Sequence, residues 1–281
     1  MTDALVIGVD ASTTAVKAIA FDRAGHAVAE ARHAYPLHRP RLGFVEQDPT
    51  DWRDALLKAL AEVAGKVGGE RVVALSIGQQ RETFAPFGPG LMPLHRGILW
   101  LDERARREVA DLTEALGRDV IRRISGKPPD PTPSLYSLAW LKTHQPQALA
   151  RAEVIHEVHG YLVECLTGER VTSVACADPM GLVDVEAGAW SPLLVDAAGL
   201  HLDQLPALVK PGAVIGCLTA EAAAATGLSC SVKVVAGAGD GQLSGLGVGA
   251  LGPETAYLSL GSGVVTGQRG ETYVTDDAYR T

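Results

Sequence analysis

The first thirty or so residues constrain this chain more than any other stretch. Three short apolar runs, Leu5–Val9, Val16–Phe21 and Ala27–Ala31, follow one another with only the polar turns Asp10–Thr14 and Asp22–Gly25 between them. Runs of this length bounded by turn formers read as strands, and such tight turns fold them into an antiparallel meander. A helix is expected next, because Trp52, Ala55, Leu56, Ala59, Leu60 and Val63 recur at the spacing of one helical face, with Asp48 or Thr50 as its cap. The run Val72–Ile77 then reads as a buried strand parallel to the first. Meander, helix and parallel strand together define an α/β class.

Further along, Ala105, Val109, Leu112 and Leu116 share one helical face, and Ser134–Thr143 and His156–Leu166 read as helices. Lys127–Pro133 carries four prolines and reads as an irregular loop. The strand Val232–Ala236 runs into Gly237-Ala-Gly-Asp-Gly241, with a short helix, Gln242–Val248, after it. Thr255–Leu260 and Val264–Gly267 form a hairpin around Gly261-Ser-Gly263 that echoes the opening one. Two such halves facing each other place a ligand between domains. The expected division is a first domain over residues 1–245 and the beginning of a second over 246–281.

Charge and composition exclude several partners. The net charge is −8 with no basic stripe, which argues against nucleic acid or an anionic membrane. No apolar run approaches the roughly 18 residues that span a bilayer. The opening MTDALVIGVD reads as a core strand rather than a signal peptide. Cys165, Cys176, Cys217 and Cys230 form no CxxC pair, so free thiols in a cytoplasmic protein are expected.

Four segments carry chemistry. The turn Asp10-Ala-Ser-Thr-Thr14 can offer N–H groups and hydroxyls to a phosphate, and a carboxylate to its Mg²⁺. Arg81 and Glu82, at the end of a buried strand, offer donors and an acceptor to hydroxyl groups, or else form a plain ion pair. Trp100 can pack its face on a carbon chain or simply belong to the core. Asp240, surrounded by glycines at a strand end, can take a proton from an attacking hydroxyl or cap a helix. There is no Walker A motif, and the GxGxxG at Gly247–Gly252 follows a helix and runs into Pro253, so the dinucleotide reading fails.

In order and spacing, DASTTAVKA, IGQQRET, ILWLDERA, SGKPPDPTPSL, GAGDGQ and LSLGSG resemble the FGGY carbohydrate kinases. The resemblance implies an actin-like, ribonuclease-H-like fold whose two domains close over sugar and Mg·ATP. It implies a phosphotransferase with an alcohol acceptor, using ATP and Mg²⁺ on a small ketose or polyol, xylulose-like or glycerol-like. Asp10 would lie near the metal, with Thr13, Thr14 and Lys17 at the nucleotide phosphates and Gly261, Ser262 and Gly263 as a second phosphate loop. Arg81, Glu82, Trp100, Thr132 and Gln242 would hold the sugar, and Asp240 would be the catalytic base. Glycerol kinases carry Tyr at the place of Thr132 and follow the catalytic Asp directly with Gln, whereas Gly241 intervenes here. A homodimer is among the expected assemblies. The rival expectations are a non-catalytic actin-like sugar-binding protein and an inactive N-terminal fragment of such a kinase.

Overall fold

A computed structural model describes residues 4–260, 264–278 and 280. The meander forms as expected: β1 (Leu5–Ala11), β2 (Ala15–Phe21) and β3 (Ala27–Ala34) pair antiparallel in sequence. Helix α1 (Pro49–Val67) starts where Asp48 accepts from the Thr50 N–H and Pro49 occupies the first turn, and it stops at Gly68. Its apolar face is fully buried at Trp52, Leu56, Ala59, Leu60 and Val63, each large side chain contributing about 1.5–3 kcal/mol. The chain returns as β4 (Val72–Gln79), parallel to β1.

A second, smaller sheet includes β5 (Phe84–Gly88) and β6 (Gly97–Ile98). Helix α2 (Arg106–Leu116) follows, with Ala105 as its N-cap residue, and then α3 (Ser134–His144) after the proline loop. The expected helix from His156 begins two residues late. His156 and Glu157 belong instead to β7 (Val154–Glu157), which pairs with β5, and α4 (Val158–Thr167) starts behind it. Cross-strand pairing wins here over helical spacing, and Glu157 caps the helix by accepting the Gly160 N–H.

Last come β8 (Val214–Cys217), α5 (Ala220–Thr226), β9 (Lys233–Val235), α6 (Asp240–Gly247) and the hairpin β10 (Ala256–Leu260) and β11 (Val264–Gln268). The main sheet runs β8-β9-β4-β1-β2-β3, with β1, β4 and β9 parallel. This is the ribonuclease-H-like order that the actin-like fold requires. Helices α1, α4 and α5 cover one face and share a single apolar core with it. A second core lies between α3, Phe84, Ile98 and Leu194. The parallel strands β1, β4 and β9 all end toward the loops that carry the candidate chemistry, as open α/β sheets generally arrange their ligand sites.

Candidate active site

Asp10 lies near the end of β1, directly opposite Lys17 on β2. Lys17 reaches Glu30 on the surface at 3.5 Å. A cleft of about 310 Å³ passes over Gly8, Asp10, Lys17, Ser76 and Leu243. Desolvation raises the Asp10 carboxyl above its ordinary value and the charge of Asp240 raises it further, with Lys17 opposing. Asp240 is also raised, chiefly by desolvation, against the Gly241 N–H and the Arg81 guanidinium. The two carboxylates therefore stand close enough to repel each other.

Asp240 is the first residue of α6, not its cap: Gly239 takes that place with extended backbone, and Asp240 Oδ1 accepts from the Gly241 N–H at 2.8 Å. The flanking glycines have a steric reason. A Cβ at Gly237 would collide with the Ile77 carbonyl of β4, and one at Gly239 with the side chains of Arg81 and Gln242. The loop thus presses Asp240 against the end of β4, beside Arg81.

Glu82 is buried and holds φ at 55°, in the left-handed region that a non-glycine residue rarely adopts. Burial pushes its carboxyl up, opposed by Arg81, Arg280 and Lys127. Arg81 Nη2 lies 3.7 Å from Glu82 Oε1, and Arg81 Nε is buried with no hydrogen bond among the described residues. A buried donor in that condition calls for a partner. Arg81 and Gln242 line a groove of about 550 Å³ whose far wall is the β10–β11 hairpin. Arg280 crosses this region, donating to Glu82 Oε1 at 3.1 Å and to Asp130 Oδ1 at 2.9 Å. Thr132 donates its hydroxyl and, at 2.9 Å, its N–H to the same Asp130 oxygen. Burial raises Asp130, but these bonds with Arg280 and Arg106 bring its carboxyl below the ordinary value.

Trp100 is half exposed, and its Nε1 donates to Thr13 Oγ1 at 3.0 Å. Its N–H donates to Thr83 Oγ1 at 3.3 Å. Thr14 sits exposed on the same turn, its carbonyl accepting from the Tyr35 N–H. The structure brings together Asp10, Arg81, Glu82 and Asp240, with Gln242 beside them and Thr13 tied to Trp100. Gly261, Ser262 and Gly263 lie outside the described residues.

Several supporting residues left no readable sequence signal. Gln47 Nε2 donates to the Thr13 carbonyl at 2.5 Å, while its Oε1 accepts from Trp52 Nε1 at 2.9 Å and Gln80 Nε2 at 3.0 Å. Asp102 takes the Val45 N–H at 2.6 Å and both Nε and Nη2 of Arg104 at 2.8 Å. Lys127 is buried against Asp178 at 2.6 Å, its ammonium lowered by desolvation. The buried glutamines had one available hint, the paired Gln79 and Gln80 at a strand end.

Residues 5–247 match the FGGY family of carbohydrate kinases, N-terminal domain. The chain belongs to that family. This FGGY chain is 29% identical over 264 residues to a xylulose kinase of Lactococcus lactis, and 28% over 270 residues to a glycerol kinase of Thermococcus onnurineus. The alignments cover 93% of this chain in both cases, and 52% and 53% of the relatives. The chain thus spans about half the length of the curated relatives it matches. A ligand-bound xylulose kinase structure from Lactobacillus acidophilus superposes with a TM-score of 0.89 at 29% identity, covering 93% of this chain and 53% of that one. Among the described residues no helix is long and apolar enough to cross a membrane.

Proposed function

We propose that this chain supplies the sugar-gripping and proton-accepting half of a kinase that moves the ATP γ-phosphoryl group to a hydroxyl of a small ketose or polyol, xylulose-like or glycerol-like. The observation that carries the reading is the convergence of Asp240, Asp10, Arg81 and Glu82 at the carboxyl ends of β1, β4 and β9. Arg81 and Glu82 would bind substrate hydroxyls, with Gln242, Thr132 and Trp100 around them. Asp240 would accept the proton of the attacking hydroxyl, a task its raised carboxyl suits. Thr13, Thr14 and Lys17, with Gly261, Ser262 and Gly263, would face the nucleotide phosphates.

The donor set suits a hard dication held partly by a nucleotide. Asp10 and Asp240 offer carboxylate oxygens, while no cluster of three or more His, Cys, Asp or Glu groups among the described residues could hold a metal alone. Mg²⁺ arriving with ATP would neutralise charge on the transferred group. A cytoplasmic location and a homodimer belong to the same reading.

The test is titration of the chain with xylulose and glycerol, then a coupled ADP-release assay with each. Binding of at least one, weakened by Glu82→Ala, supports the reading. Binding of neither overturns it, and binding without transfer is the outcome expected of the sugar-gripping half acting alone.

A further inference from the structure

His159 lies in the first turn of α4 with its ring fully buried, and nothing in the proposed chemistry uses it. Its Nε2 stands 3.1 Å from the Gly237 N–H, at the start of the loop that presents Asp240. A backbone N–H can only donate, so Nε2 must carry the lone pair and Nδ1 the proton. Nδ1 lies 3.1 Å from Thr172 Oγ1, which therefore accepts there and donates its own hydroxyl to Glu157 Oε1. The second Glu157 oxygen takes the Gly160 N–H at 2.6 Å. With Glu157 ionised, one donor-only group thus fixes every proton along the row.

We propose that His159 is a positioning residue, whose neutral imidazole, held in one tautomer by Thr172 and Glu157, fixes Gly237 and through it the placement of Asp240. The functional weight of this rests on reading Asp240 as the proton acceptor; the geometry does not. Other contacts to the loop are few. Gln79 N–H reaches the Ala238 carbonyl at 3.3 Å, and Gln79 Oε1 accepts the N–H of His159 itself at 2.7 Å. Gly237 cannot carry a side chain of its own to anchor the loop, because of the Ile77 carbonyl. Burial beside His156 also pushes His159 down to about 3, which keeps Nε2 free to accept.

The test uses the whole chain and needs neither sugar nor ATP, so a chain that fails to phosphorylate leaves it intact. Two-bond ¹H–¹⁵N spectra at about pH 8, above the ordinary imidazole range, should show His159 protonated at Nδ1 alone. Amide exchange is then compared in wild type, His159→Phe and His159→Gln. Phe keeps the ring volume without an acceptor and should speed exchange at Gly237 about tenfold or more, while the amides of Val9 and Ile77 stay protected. Gln can accept through Oε1 and should restore most of the protection. An Nε2-protonated ring, unchanged exchange at Gly237, or acceleration spread equally over Val9 and Ile77 would each overturn the proposal. If the Phe variant does not fold, the wild-type tautomer and the Gln variant still decide it.

Discussion

Trp100 Nε1 donates to Thr13 Oγ1 at 3.0 Å, joining side chains 87 positions apart. The bond ties the motif proposed to pack on sugar to the turn proposed to meet phosphate. Trp100→Phe keeps the ring but loses the N–H, and should weaken sugar binding less than Trp100→Ala. Calorimetric titration of the two variants checks this. Equal losses would mean that the indole N–H, not the ring face, matters.

Asp240→Asn should lower phosphoryl transfer about 10²–10⁴-fold while sugar affinity holds, the usual worth of a positioned base. Near-normal turnover would reduce Asp240 to a helix-start residue.

Arg81→Ala and Glu82→Ala should each cost about 1–3 kcal/mol of sugar affinity, because each strands a polar group in a closed site. Titration with the preferred sugar reads the loss. Unchanged affinity in both would return them to a plain ion pair.

Arg104 is buried between Asp102 and Glu46, both at 2.8 Å, with its guanidinium 4.0 Å from the Phe44 ring centroid. Arg104→Ala removes the guanidinium that two buried carboxylates share and should destabilise the fold by about 3–5 kcal/mol in urea denaturation. A loss under about 1 kcal/mol would mean the network behaves like a surface pair.

Burial pushes Glu157 up to about 7 from an ordinary 4.5, against bonds from Thr172 and Gly160. In that window the folded chain keeps a proton that the unfolded chain has lost, so the Glu157 contribution to stability falls as pH rises. His159 slopes the other way: with its folded value near 3 and its ordinary value 6.5, stability rises with pH between them. Glu157→Gln removes only the first slope. Its stability should climb more steeply than wild type between about pH 5 and about pH 7 in urea denaturation. Parallel profiles would show that Glu157 does not titrate there.

What the sequence made legible was whatever repeats locally. The meander, α1 with its Asp48 cap and the parallel return of β4 all rest on short-range period and turn chemistry. Asp240, Arg81 and Glu82 stood out because carboxylate and guanidinium groups at strand ends have few packing explanations. His156 and Glu157 were misread as helix because their partner strand, β5, lies some seventy residues away in sequence. Gln47 and His159 stayed hidden for a related reason: each serves through a bond to backbone distant in sequence, Thr13 for one and Gly237 for the other. Nothing in a residue's neighbours announces such a bond.

Leu243 of α6 fills the space that a side chain at Gly78 of β4 would need. The helix that begins with Asp240 is therefore seated on the same strand that leads into Arg81 and Glu82. The proposed acceptor side, Asp240 with Arg81 and Glu82, then rests on one packed element pair. If a second domain brings the nucleotide, the groups proposed to hold the sugar would already be in place before it arrives.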